Sequence, residues 1–263
     1  MRPLFAALAL VVAATGAAGC VTLGHASNPI PTRVVSAPDP APQRTLVVVL
    51  PGIGSDVRDL DRHHVAQAIQ RQWPDAEVML TSAALAYYAP DGGLVQRMHD
   101  EIIEPARAAG YRKIWLVGAS LGGLGVLLYE QQYPGELAGV VAFAPFLGDE
   151  VLPDQIRRAG GIEYWRGPEH PVPQQVKNPY TGYPWLVWTM ARNWLLRPEQ
   201  ARRIWIVCGD EDNLRPDVEL LASALPEAHY VEVEGGHRWS VWLASMDATL
   251  RRIRDATHRT AQS

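Results

Sequence analysis

The chain has 263 residues, of which 48% are hydrophobic and 20% charged, which excludes a disordered polymer and suits one large domain or a domain with an insertion. A net charge of −4 leaves no basic face to advertise nucleic-acid binding, and the basic residues, nearly all arginine, are scattered. Cys20 and Cys208 are the only two cysteines, too few for a disulfide scaffold.

The first segment reads as an address. Arg2 precedes an apolar stretch from Pro3 to Ala14, and small residues lead to Ala18-Gly19-Cys20. A positive start, a short apolar run and a small-residue cut site describe an export signal over residues 1–19. The run falls short of the roughly 20 apolar residues of a membrane-spanning helix. Ala18-Gly19-Cys20 resembles the end of a bacterial lipoprotein signal, with Ala17 where that family usually has leucine. The resemblance implies a lipidated Cys20 as the new N-terminus and an exported protein on the membrane, its outer-membrane placement suggested by Val21 in place of an aspartate. The alternative is an ordinary cleaved signal that leaves a periplasmic or secreted protein. Residues 20–44 carry five prolines and little apolar periodicity, which predicts an extended tether rather than a packed element.

Strands and helices then alternate. Thr45–Leu50 is a β-branched run ended by Pro51-Gly52, and reads as a buried strand. Asp56 to Trp73 has helical spacing and stops at Pro74. Glu77–Leu80 is the next strand, and Gly92 to Gly110 an amphipathic helix in which Pro105 predicts a kink. Lys113–Val117 is a strand followed by the apolar helix Leu121 to Tyr133. Further strands are expected at Leu137–Phe143, Arg203–Cys208 and His229–Val233, and further helices at Val218–Leu225 and Arg238–Thr257. This alternation predicts a mostly parallel sheet covered on both faces, beginning at Thr45, with its reactive groups at the carboxyl ends of the strands.

Chemistry-bearing residues fall at those ends. Gly118-Ala119-Ser120-Leu121-Gly122 is a G-x-S-x-G sequence between a strand and a helix, where a tight turn needs glycines two before and two after an exposed serine. A nucleophilic serine needs a base, and the base an orienting acid. Gly209-Asp210-Glu211-Asp212 follows one later strand and Glu234-Gly235-Gly236-His237 another. His63, His64 and His99 sit in helix-like segments and read as surface residues, and Asp210 as a cap.

In the order serine, acid, histidine the chain resembles the α/β-hydrolase family from about Leu46 to His258. The resemblance implies an α/β-hydrolase core over 45–147 and 202–258, with Ser120 as nucleophile, His237 as base and Asp212 as acid. The amides of Ile53 and Leu121 become the oxyanion hole, with Gly54 as the alternate donor and a substrate contact. Pro51 stands where relatives often have histidine. The implied activity is hydrolysis of a small acyl ester by a serine esterase without metal or organic cofactor. Thioester or amide hydrolysis and acyl transfer would use the same residues, and a tethered binding protein that lost catalysis is the reading from another class. No protein partner is implied.

The stretch 148–201 is crowded with aromatics and prolines. In the resembled family this connection carries a cap over the nucleophile. Trp185 and Trp188, with Tyr87 and Tyr88 from another strand end, are candidates to line a substrate pocket; the competing expectation is that these rings glue the cap to the core.

Overall fold

The computed structural model describes residues 26–167 and 182–260; Cys20, the expected export signal and 168–181 lie outside the described residues. Its sheet consists of β1 (Thr32–Val35), β2 (Thr45–Leu50), β3 (Ala76–Thr81), β4 (Lys113–Ala119), β5 (Gly139–Phe143), β6 (Ile204–Gly209) and β7 (Tyr230–Val233). The spatial order is β1-β3-β2-β4-β5-β6-β7. All neighbouring pairs from β3 to β7 are parallel, and β1 runs antiparallel to β3. Every residue of β2, β5 and β6 is buried, as expected of strands covered on both faces. The register pairs Leu50 with Gly118, Ala119 with Phe143, Phe143 with Val207, and Gly209 with Val233. The connections carrying Ile53, Ser120, Asp212 and His237 therefore all leave one carboxyl edge.

The tether expectation is corrected at β1. Thr32-Arg-Val-Val35 pairs with β3 through Thr32–Thr81 to Val35–Val78, so the sheet begins before Thr45. Ile30 is buried, and its N–H donates to Glu101 Oε2 at 2.6 Å. The surrounding prolines masked this strand. An edge strand needs hydrogen bonds on one side only, so prolines nearby are no obstacle. Arg33, ion-paired with Asp61, puts a charge on the open edge.

The helix expected from Asp56 to Trp73 is two: α1 (Val57–Arg62) and α2 (Val65–Gln70). A capping box between Asp56 and Asp59 starts α1. Between the two, His64 takes a left-handed backbone with φ 55°. That re-aims the chain so that Val65, Ala66, Ala68 and Ile69 all reach the core. The kink expected at Pro105 is a widened turn: α3 (Leu94–Met98) passes through a π segment (His99–Ile103) into α4 (Glu104–Ala108), with Pro105 in its first turn.

Helix α5 (Leu121–Gln132) is apolar all round, and ten of its twelve residues are buried. Such a helix must be covered on every side. The sheet covers one side and α7 (Gly182–Leu196) packs on another. The stretch 148–201 also supplies α6 (Val151–Ala159) and α8 (Pro198–Ala201). After β6 comes α9 (Arg215–Ala222), and α10 (Trp239–Thr260) closes the chain by packing against α2, tied there by Arg71 to Asp247.

Candidate active site

Ser120 is the single residue between β4 and α5, with φ 55° and ψ −115°. A non-glycine residue held at positive φ is strained, and such strain persists only where the surroundings over-determine it. They do so here. A Cβ on Gly118 would lie 2.1 Å from the Gly122 oxygen, and one on Gly122 would lie 2.4 Å from the Leu50 oxygen. The turn closes only because both are glycine. The Ser120 N–H donates to Phe143 O at 2.8 Å, and its carbonyl accepts from the N–H groups of Leu124 at 3.2 Å and Phe146 at 3.0 Å. The serine is 9% exposed, at the bottom of its surroundings rather than on a surface.

The loop after β2 lies directly beside it. A Cβ on Gly52 would be 3.5 Å from Ser120 Cβ, in ordinary contact. The N–H groups of Ile53 and Leu121 have no hydrogen-bond acceptor among the described residues. Free amides at the start of a helix and in a neighbouring loop are suited to receive a developing negative charge. Gly54, at φ 74°, has open space around it.

Asp212 and His237 meet across the ends of β6 and β7. His237 Nδ1 is 2.8 Å from Asp212 Oδ2, and Asp212 Oδ1 accepts from the Leu214 N–H at 2.9 Å. The Asp212 side chain is wholly enclosed, while that of His237 is 28% exposed. A buried carboxylate on Nδ1 holds the proton there and leaves Nε2 as an acceptor. Of the three neighbouring acids, Glu211 is exposed and Asp210 does something the sequence did not announce. Its Oδ1 accepts from the Gly235 N–H at 2.8 Å, which clasps the acid loop to the histidine loop. The two loops touch backbone to backbone: a Cβ on Gly209 would lie 1.9 Å from the Gly235 oxygen. Gly209→Ala is therefore expected to push the loops apart, lower stability by about 2–3 kcal/mol and reduce kcat at least tenfold; thermal unfolding and steady-state kinetics check both.

Trp242 is a second residue that sequence reasoning missed. Its ring stands edge-on to His237 at 5.0 Å, and it borders, with Gly118 and Ala119, an internal void of about 10 Å³. Among the described residues no hydrogen bond joins the Ser120 hydroxyl to the His237 ring. Trp242 in turn meets Trp239 edge-on at 5.1 Å, and Trp239 stacks on His63 at 5.3 Å. His63 is thus a packing residue. His99 likewise stacks on Tyr133 at 4.1 Å, with Nδ1 3.1 Å from the Tyr129 hydroxyl.

Two pocket expectations are corrected. Trp188 is fully buried, and its indole N–H donates to Leu147 O at 3.4 Å, so its ring packs α7 onto the core. Tyr87 is also buried, its hydroxyl donating to Ser27 O at 3.0 Å beneath the Arg97 guanidinium. Tyr88 donates to the Leu121 carbonyl at 2.8 Å and braces the first turn of α5 from behind. Large rings in an apolar stretch satisfy packing first. Trp185 is half-buried. Trp188→Ala should cost about 3–5 kcal/mol of stability without changing acyl-chain preference, measured by denaturant unfolding and an ester series.

Cys208 is buried on β6, and burial beside the Asp212 charge pushes its thiol far above the usual range, so it stays protonated. Among the described residues no group of three or more His, Cys, Asp or Glu side chains is placed to hold a metal ion.

A family model with the description "Putative esterase" matches residues 101–253, more than half of the chain. No curated protein matches by sequence. Solved structures share the fold at low identity. Est1E from Butyrivibrio proteoclasticus is 15% identical, with a TM-score of 0.55 over 86% of this chain and 93% of that one. The S-formylglutathione hydrolase FrmB from Staphylococcus aureus is 16% identical, with a TM-score of 0.53 over 82% of each. A monoacylglycerol lipase from Paleococcus ferrophilus is 17% identical, with a TM-score of 0.52 over 85% of this chain and 99% of that one. The architecture is that of the α/β-hydrolase esterases.

Proposed function

The chain belongs to the esterase family, and on that premise we propose that it cleaves a carboxylic ester through Ser120, His237 and Asp212 by way of an acyl-enzyme. The observation that carries this is the Asp212–His237 pair at 2.8 Å, held at the same sheet edge as a serine in a strained turn. In the proposed relay His237 Nε2 takes the Ser120 proton as Oγ attacks the ester carbonyl carbon. Catalytic hydrogen bonds of this kind commonly tighten only when substrate is bound. Asp212 stabilises the imidazolium, which then protonates the departing alkoxide. The amides of Ile53 and Leu121 receive the charge on the carbonyl oxygen, each worth roughly 3–4 kcal/mol in comparable sites. Water, deprotonated by His237, attacks the acyl-serine; return of the proton to Ser120 releases the acid.

Covalent labelling by a fluorophosphonate, lost in Ser120→Ala, tests the nucleophile, and esters of graded acyl length define the substrate class. In this reading Trp185 belongs to a cap, and Gly54 lies at the mouth. The N-terminal residues fit export and lipidation at Cys20, which puts the enzyme on a bacterial membrane facing the periplasm.

A further inference from the structure

We infer that the catalytic edge of the sheet docks on a lipid bilayer and draws its ester from that surface. The inference rests on the serine-hydrolase reading and on a lipidated Cys20, and it follows from where the chain enters the fold.

β1 runs opposite to its neighbours. Thr32 pairs with Thr81, at the carboxyl end of β3, while Val35 pairs lower down with Val78. Leu80 lies level with Val49, and Leu50 with Gly118. The chain therefore comes in at the edge that carries Ser120, three strand spacings away, or about 14 Å. The segment before β1 is pinned along the same edge. The Pro31 carbonyl accepts from the Ser82 N–H at 2.9 Å, just past the end of β3. The Ser27 carbonyl accepts from the Tyr87 hydroxyl and from Arg97, one turn into α3.

Six peptide links separate Cys20 from Ala26. Fully extended they reach at most about 22 Å. A domain of this size is about 45 Å across. A lipid on Cys20 therefore cannot pass around the body to let the amino edge of the sheet face the bilayer. The short leash holds the carboxyl edge towards it. No helix among the described residues is long and apolar enough to cross a membrane.

The loops on this edge carry apolar side chains into solvent. Ile53, beside the nucleophile, is 38% exposed, and Val151, the first residue of α6, is 58% exposed. α6 is fixed at this edge by Arg157 bonding Asp217, in the first turn of α9 just after the Asp212 loop. Single exposed apolar residues are common, and Tyr164 and Leu196 are exposed as well, so it is the leash rather than these side chains that selects the edge. An ester with its acyl chain in the bilayer would meet Ser120 without crossing water.

The test uses the full-length protein purified from membranes and placed on phosphatidylethanolamine–phosphatidylglycerol vesicles. Mass analysis of the N-terminal peptide should find diacylglyceryl on Cys20; an unmodified cysteine overturns the inference. A bimane on Val151→Cys should lose at least half its fluorescence to bromine-bearing lipid chains, while one on Lys113→Cys, at the amino end of β4, should be unchanged. Equal quenching, or stronger quenching at Lys113→Cys, overturns the inference. Inserting about 20 glycine and serine residues between Gly24 and His25 should lower turnover of a vesicle-borne long-chain ester about fivefold or more, as local concentration falls with leash length. Hydrolysis of a water-soluble short-chain ester and fluorophosphonate labelling should not change. An unchanged rate on the vesicle-borne ester overturns the inference while the hydrolase reading stands. A parent protein that neither labels nor cleaves the soluble ester overturns the hydrolase reading and, with it, the inferred substrate source; the quenching pair separately reports which edge faces the lipid.

Discussion

Ser120→Ala should lower kcat by about a millionfold and abolish fluorophosphonate labelling, with the fold intact. The size of the effect comes from losing the covalent route altogether. What remains is the contribution of the Ile53 and Leu121 amides, which in comparable hydrolases leaves roughly a thousandfold or more over water. The alanine variant keeps the Cβ, so the backbone strain at φ 55° is retained. Ser120→Gly removes both the hydroxyl and the Cβ and should melt higher than Ser120→Ala by about 1–2 kcal/mol of stability. Comparing the two variants by thermal unfolding separates strain from chemistry. A variant lacking Oγ that still turned over at a hundredth of the parent rate would identify a different nucleophile.

Asp212→Asn should lower kcat about ten-thousandfold with little change in KM. Asp212 receives the Nδ1 proton of His237 with one oxygen and the Leu214 N–H with the other. An amide can satisfy only one of those two as an acceptor. If its oxygen keeps Leu214, its NH2 faces Nδ1 and selects the tautomer whose Nε2 already carries a proton. The base is then blocked although the ring has not moved. Asp210→Asn is the control. The Asp210 carboxylate accepts the Gly235 N–H and lies outside the proton relay, so an asparagine that keeps its oxygen on Gly235 should change kcat only a few-fold. A reversal of the two effects would transfer the acid role to Asp210.

The contrast between those two aspartates shows where sequence reading runs out. Gly-Asp-Glu-Asp offers three acids within a loop, and the resemblance to the α/β-hydrolases already favours the last. What Asp210 does depends on Gly235, 25 residues away, whose N–H it receives. The same holds for Trp242. In sequence it is one apolar position of a long amphipathic helix, and only the packing of α10 brings its ring against His237. Trp188 went astray as a pocket candidate for a related reason: an aromatic in a proline-rich insertion looks the same whether it lines a cavity or fills one. Trp188 fills, because α7 lies on a helix, α5, that has no polar face to leave uncovered. β1 was hidden by composition, since proline-rich flanks resemble a spacer until an edge strand needs hydrogen bonds on one side only.

The amino-acid order by itself determined the alternation of buried strands with amphipathic helices, the glycine-lined serine turn, and the sequence serine, acid, histidine along the chain. Each of these is written in local terms: side-chain volume, backbone permissiveness and the period of apolar residues. The tertiary structure alone decided that Asp210 ties the acid loop to the histidine loop, which rings are packing, and at which edge the N-terminal segment joins the sheet. Those outcomes depend on contacts between residues far apart in the chain, whose distances no local pattern records.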